Sequence, residues 1–192
     1  MKHRNDLPLF FKENGYSIGV EVGVEYGHHA CNILENWDGK LVCVDYWEQQ
    51  DKSIYNEPCN FKDLAHIFID FNNNIKRFED RVLVIKNKSD IAASFFPNDY
   101  FDFIFIDANH SYDGIKSDLE CWWPKLKTGG LFSGHDWLHN FKPDPDKNMD
   151  MYYGDLYIGK YGINSAVTEF ANEKGYHINI TEEEFATWYF KK

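Results

Sequence analysis

No apolar run in the sequence approaches the roughly 18 residues that a membrane span needs. Residues 1–15 carry Lys2, Arg4, Asp6, Lys12 and Glu13, so there is no uninterrupted apolar segment of the kind a secretory leader requires. The four cysteines, Cys31, Cys43, Cys59 and Cys121, include no C-x-x-C pair, and neither a zinc nor a dithiol motif is indicated. Cys31 and Cys43 sit in apolar stretches and read as buried thiols. Basic runs are also missing. Beyond Lys125/Lys127 and Lys191-Lys192 nothing clusters, and the formal net charge is -11. That balance opposes a phosphate backbone. These absences point to a cytoplasmic protein with a small-molecule partner and with neither nucleic acid nor membrane as a partner; assembly into a homo-oligomer stays open. A cationic cofactor or a neutral substrate suits the charge.

What is present is enough for one packed domain. The chain has 192 residues, 43% hydrophobic and 18% aromatic, which implies a large aromatic core. Short apolar runs alternate with helical patterns. Strands are expected at 17–22, 40–44, 82–85, 100–106 and from 131 to about 136. Helices are expected at 27–37, 61–78, 90–96, 112–123 and 163–174, with an N-terminal helix within 1–16. Leu64, Ile67, Phe68 and Phe71 form an apolar stripe at helical spacing. Strand and helix in alternation imply a Rossmann-like, doubly wound α/β sheet, mostly parallel, with helices on both faces. Two late runs, 177–181 and 186–191, read as a closing antiparallel hairpin. Residues 138–159 are polar, carry Pro143, Pro145 and Gly154, and read as an inserted loop. It is either a lid hinged at Gly154 and Gly159 or a passive surface insertion.

The most informative stretch runs from Gly19 to Gly27, where the first strand turns into the first helix. A dinucleotide fingerprint is G-x-G-x-x-G, with a pyrophosphate on the helix start. Here the turn is Gly23-x-x-x-Gly27, without the middle glycine, and the acid Glu21 precedes it. That is a poor diphosphate site and a better one for a cofactor with a cationic amino group. Asp45 lies 22 residues after Gly23, at the end of the second strand. An acid about 20 residues on can accept hydrogen bonds from ribose hydroxyls; the plain alternative is a helix N-cap.

Glu21-Val22-Gly23-Val24-Glu25-Tyr26-Gly27 resembles the first motif of class I S-adenosylmethionine-dependent methyltransferases. Leu41 to Asp45 is similar to their second. The stretches Phe101 to Tyr112 and Leu126 to Asp136 resemble the methyltransferase-domain group numbered family 24, related to the catechol O-methyltransferase type. The likeness covers residues 15–137, and a looser one extends to the last helix and hairpin. It implies that Glu21 lies near the methionine amino group, that Gly23 and Gly27 wrap the methionine part, and that Asp45 holds the ribose. It also implies that Ser89 and Asp90 flank the adenine. His29 stands where relatives often have a serine contacting the carboxylate.

Asp107 closes the fourth strand and Asp136 the fifth, and ligands in a doubly wound sheet bind at the carboxyl ends of strands. His110 and His135 stand beside them, and Asp107 would border the cofactor too. If the methyl acceptor is a hydroxyl, a histidine can take its proton, or a divalent metal on Asp107 and Asp136 can acidify it. Oxygen ligands favour Mg²⁺, and a histidine ligand would extend the choice to Mn²⁺, Fe or Zn, with Mg²⁺ or Mn²⁺ the expected ion. In catechol-type enzymes the equivalents of Asp107 and Asp136 bind metal, but the following residue, usually Asn, is Trp137 here. Trp137, Trp47 and Tyr152-Tyr153 are expected to wall an acceptor pocket, while Trp122-Trp123 read as core. The expected activity is O-methylation of a small hydroxylated molecule. The alternatives are a metal-dependent hydroxylase-like member, a nicotinamide oxidoreductase and a non-catalytic nucleoside-binding module.

Overall fold

The computed structural model describes residues 1–51, 58–139, 143–144, 149–150 and 162–192. Five strands run parallel in the first two thirds of the chain: β1 (Ile18–Val22), β2 (Lys40–Asp45), β3 (Val82–Lys86), β4 (Phe101–Ile106) and β5 (Leu126–Leu138). A two-residue ladder pairs β6 (Pro143–Asp144) with β7 (Met149–Asp150). The closing strands β8 (Asn179–Ile180) and β9 (Phe185–Lys191) are antiparallel, and it is β9 that pairs with β5. The seven-stranded sheet has the order β3-β2-β1-β4-β5-β9-β8. The direction of winding reverses between β1 and β4, which opens a crevice at their carboxyl ends.

Register determines what lines that crevice. Val22 pairs with both Val44 and Ile106, and Ile106 pairs with Gly134. The next residues on these four strands, Gly23, Asp45, Asp107 and His135, therefore share one edge of the sheet.

The helices are α1 (Leu7–Glu13), α2 (His28–Asn36), α3 (Leu64–Ile75), α4 (Ser89–Ser94), α5 (Tyr112–Trp122) and α6 (Ile163–Lys174). Alternation along the strands sorts them into two layers. Leu41, Cys43, Phe103 and Phe105 face α1, α2 and α3, meeting Phe11, Ile33 and Phe71. Val20, Val42, Ile104 and Ile106 face α4, α5 and α6, meeting Ala92, Leu119, Trp122 and Val167. Both layers are aromatic-rich: Phe11 stacks on Phe103 with ring centroids 3.7 Å apart. Deleting such a ring costs about 3–5 kcal/mol.

Several elements differ in extent from the sequence expectation, for local reasons. The N-terminal helix is short: a 3₁₀ turn, Arg4–Asp6, precedes α1, and Gly15 at φ 68 ends it. Tyr16 N–H donates to Phe11 O at 2.9 Å, which completes a left-handed helix stop. Helix α3 begins only at Leu64 because Asp63 caps it, accepting from His66 N–H at 3.1 Å. After Ile75 the chain tightens into a 3₁₀ segment, Lys76–Arg81. Strand β5 starts five residues early, at Leu126, because Gly129 and Gly130 exchange backbone hydrogen bonds with Lys192. Cys43 is buried, whereas Cys31 is only half-buried.

Trp137 is the clearest correction. It is not a pocket wall: it is 8% exposed and belongs to the core on the α4–α6 layer. Trp122 is buried as expected, and half-buried Trp123 packs edge-on to Phe132 and Phe170. Of the inserted loop, Leu138 ends β5 and two residue pairs form β6 and β7; Tyr152, Tyr153, Gly154 and Gly159 lie outside the described residues.

Candidate cofactor and active site

A cavity of about 670 Å³ opens at the switch point, within the range of small-molecule sites. Glu21, Gly23, Asp45, Ser89 and Asp107 all line it.

Glu21 is buried near the end of β1. One carboxylate oxygen lies 3.2 Å from His29 Nδ1, and the His29 ring rests against Phe105 with centroids 4.4 Å apart. Among the described residues, Glu21 Oε2 and His29 Nε2 are buried without a hydrogen-bond partner. Leaving buried polar atoms unpaired costs about 1–3 kcal/mol each, so two on adjoining cavity-lining side chains call for a ligand.

Gly23 has φ 87, and a Cβ there would stand 2.0 Å from the Asp107 carbonyl oxygen. Only glycine lets β1 end in such close contact with β4. Gly27 does something else. It sits outside the cavity lining, enters α2 at φ 77, and its missing Cβ makes room for the Phe71 ring.

Asp45 is not a helix cap. Its Oδ2 accepts from Glu25 N–H at 2.9 Å and its Oδ1 from Trp47 N–H at 3.2 Å. Both partners have left-handed backbones, at φ 44 and 45, so one carboxylate pins two turns. Burial pushes the Asp45 carboxyl up from its ordinary value, against the lowering effect of these amides. Trp47 does line the cavity, with its indole N–H on Glu25 O at 3.0 Å.

At the far wall, Ser89 opens α4 and its Oγ accepts from Trp122 Nε1 at 2.8 Å. Asp90 is exposed on the same turn and lines the cavity. Two further lining residues escaped the sequence reading. Asp118 of α5 is buried; its signal was a charged residue between Ile115 and Trp122 on an otherwise apolar helix face. Arg4 is carried to the cavity by a long-range contact: its backbone N–H donates to the Glu183 carboxylate at 3.1 Å. No local motif announces that contact.

The other side of the crevice holds four titratable groups. Between Gly134 and Trp137, β5 has one residue more than β9, a bulge that turns Asp136 to φ 61. Asp136 on the bulge has its Oδ2 2.8 Å from His110 Nε2, and within the segment after β4 His110 Nε2 lies 3.5 Å from Asp107 Oδ1. His135 Nδ1 lies 3.1 Å from Asp136 Oδ1. Burial works against ionisation of Asp136, but hydrogen bonds from His110 and His135 and their charge outweigh it and hold the carboxyl well below the usual range. Burial likewise opposes protonation of His135, yet Asp136 and Asp107 raise its pKa above the ordinary value. Donor atoms of Asp107, His110 and Asp136 all lie within 4.8 Å of one another, close enough to share one cation. Asp107 and His110 line the cavity; His135 and Asp136 are outside its lining.

Residues 20–137 match the model of the methyltransferase-domain family, a stretch that contains Glu21, Gly23, Asp45, Ser89, Asp107 and Asp118 of the cavity lining. The chain belongs to that family. It is a class I methyltransferase, the S-adenosylmethionine-dependent class that its motifs resemble, and not a nicotinamide oxidoreductase.

The fold of this methyltransferase is shared with solved structures at low identity. A candidate caffeoyl-CoA O-methyltransferase from Staphylococcus aureus superposes with a TM-score of 0.71 at 16% identity, over 98% of this chain and 82% of that one. An O-methyltransferase of tomaymycin synthesis from Streptomyces achromogenes, in complex with S-adenosylmethionine, gives 0.62 at 13% identity, over 98% and 79%. An S-adenosylhomocysteine-bound methyltransferase from Podospora anserina gives 0.62 at 15% identity, over 98% and 78%. No curated protein matches the sequence. No helix among the described residues is long and apolar enough to cross a membrane.

Proposed function

We propose that this methyltransferase moves the methyl group of S-adenosylmethionine to an oxygen of a small hydroxylated acceptor. The observation that carries the reading is the pair of buried, unpartnered atoms, Glu21 Oε2 and His29 Nε2, on side chains lining the cavity beside Gly23. A cofactor with an ammonium and a carboxylate on one carbon satisfies both: Glu21 takes the ammonium, and a His29 with a proton on each ring nitrogen gives Nδ1–H to Glu21 and Nε2–H to the carboxylate. Asp45 retains acceptor capacity for ribose hydroxyls after binding its two amides. When bound, the cofactor supplies a methyl group on a good leaving group.

The residues of the chain then have three tasks. The cavity excludes water and aligns the acceptor, which is worth several kcal/mol. His110 takes the acceptor proton. Asp136 is ionised and can only accept, so His110 presents Nε2–H to it. Asp136 is thus a positioning residue, and His135 holds its other oxygen. A second reading is favoured by the convergence of Asp107, His110 and Asp136: two carboxylates and an imidazole suit Mg²⁺ or Mn²⁺. The metal would acidify the acceptor hydroxyl, and the His110–Asp136 hydrogen bond would give way to it.

Thermal shift tests both. S-adenosylhomocysteine raises the melting temperature and NADH does not; the reverse pattern overturns the cofactor assignment. Mg²⁺ or Mn²⁺ raising it further, with activity lost to a chelator, selects the metal reading over histidine alone.

A further inference from the structure

Asp118 takes no part in the methyl-transfer reading, yet it is the most unusual group in the cavity wall. It is 4% exposed and stands on the apolar face of α5, one turn from Ile115 and from Trp122. The polar neighbour of its carboxyl is the Ser89 hydroxyl. Trp122 Nε1–H donates to Ser89 Oγ at 2.8 Å, which leaves the Ser89 hydrogen able to turn toward Asp118. One donor leaves most of a carboxylate's acceptor sites unused, and a buried carboxylate without further donors is costly.

Position indicates what the missing donor is. The cavity is lined by Glu21 and His29 at the end of β1 and start of α2, by Asp45 at the end of the neighbouring β2, and by Ser89 and Asp90 beyond β3 together with Asp118 of α5, in the strand order β1, β2, β3. A nucleoside anchored by its amino-acid tail and its ribose delivers its base to that last wall. We propose that Asp118 reads the base, accepting a hydrogen bond from the exocyclic amino group of a 6-aminopurine and disfavouring a 6-oxopurine. The inference rests on the cofactor reading above and adds a specificity-determining residue to it.

The surroundings of Asp118 agree. Asp90 faces it from α4, and Cys121 on its own helix has a thiol pushed up to about 12 by burial, so neither supplies a positive charge. Burial, against the single Ser89 bond, pushes the Asp118 carboxyl up to about 7. A donated amino hydrogen favours the ionised form, so binding of the aminopurine strengthens as pH rises through that value and releases a proton.

The test is calorimetric binding of S-adenosylhomocysteine and S-inosylhomocysteine to the wild type and to Asp118→Asn. An ionised carboxylate only accepts, whereas an asparagine amide can turn either edge to the base. The wild type is expected to prefer the amino compound by roughly 10- to 100-fold, the weight of one charged hydrogen bond. In Asp118→Asn the preference falls to within about threefold. Proton release, read in buffers of different ionisation enthalpy, is expected in the wild type and reduced in the variant; the wild-type measurement stands even if the variant does not fold. Equal affinities in the wild type, or full preference retained in the variant, overturns the role of Asp118. Failure of the wild type to bind either compound instead overturns the cofactor reading beneath it.

Discussion

The two sides of the crevice are made of different material. The side at β1 and β2 is shaped by backbone: Gly23 at φ 87, Glu25 and Trp47 at φ 44 and 45, and one carboxylate tying their amides together. The side at β4 and β5 is shaped by side chains, two Asp and two His gathered by a strand bulge. A backbone cradle has a fixed shape and few protonation states. A cluster of carboxylates and imidazoles can hold and release protons or a cation, and its chemistry depends on pH. The division suits an enzyme that holds one constant ligand and activates another.

If the division is real, the two sides fail separately. Replacing His110 with Ala should lower turnover by roughly 10²- to 10⁴-fold while leaving S-adenosylhomocysteine affinity within a few-fold. Equal losses in kcat and in affinity would merge the two sides into one. Gly23→Ala is the exception that tests the seam. Its Cβ would press on the Asp107 carbonyl oxygen at 2.0 Å, with φ 87 to be held as well. About 2–4 kcal/mol of stability should be lost, read from the urea midpoint, together with both binding and turnover.

Asp45→Ala should remove the thermal shift with S-adenosylhomocysteine and leave the His110–Asp136 contact intact. A retained shift would show that the ribose is held elsewhere. In the ligand-free protein, Asp118→Asn should be the more stable form at neutral pH. The Asp118 carboxyl is raised from 3.8 to about 7, so native stability from this group falls as pH rises through that interval. The advantage of the variant should therefore grow from pH 4 to about 7, to the order of a few kcal/mol, and then level off; denaturation across pH measures it. The smallest effect concerns His135, which keeps its proton to a pH above its ordinary 6.5. Arg4 opposes that protonation, so Arg4→Ala should move the midpoint of the His135 titration, followed by NMR, further upward.

The same contrast explains what could be read without coordinates. Periodicity and the Gly23, Glu21 and Asp45 spacing are local signals, and they located the doubly wound sheet and three residues of the cavity lining. Asp107, His110, His135 and Asp136 were legible because strand ends in this topology share one edge, but their distances were not. The bulge that sets them depends on how β5 pairs with β9, some 50 residues away along the chain. Trp137 was misjudged for that reason: the extra residue in β5 returns it to the core. Arg4 depends on Glu183 and had no local sign at all. Gly27 was assigned to the ligand, whereas its missing side chain serves the packing of α2 on Phe71. Asp118 could have been found, since an acid on an apolar helix stripe is an anomaly that periodicity analysis exposes.

The surplus residue in β5 makes the activating cluster a matter of strand length. Gly134 and Trp137 are each matched on β9, to Trp188 and Ala186, and only one residue between them is in excess. Shortening the strand by that residue would let the ladder run on unbroken and leave the sheet able to form. Under the proposed function, the result would be a folded protein that keeps its nucleoside cradle but loses the Asp136 contact that positions His110.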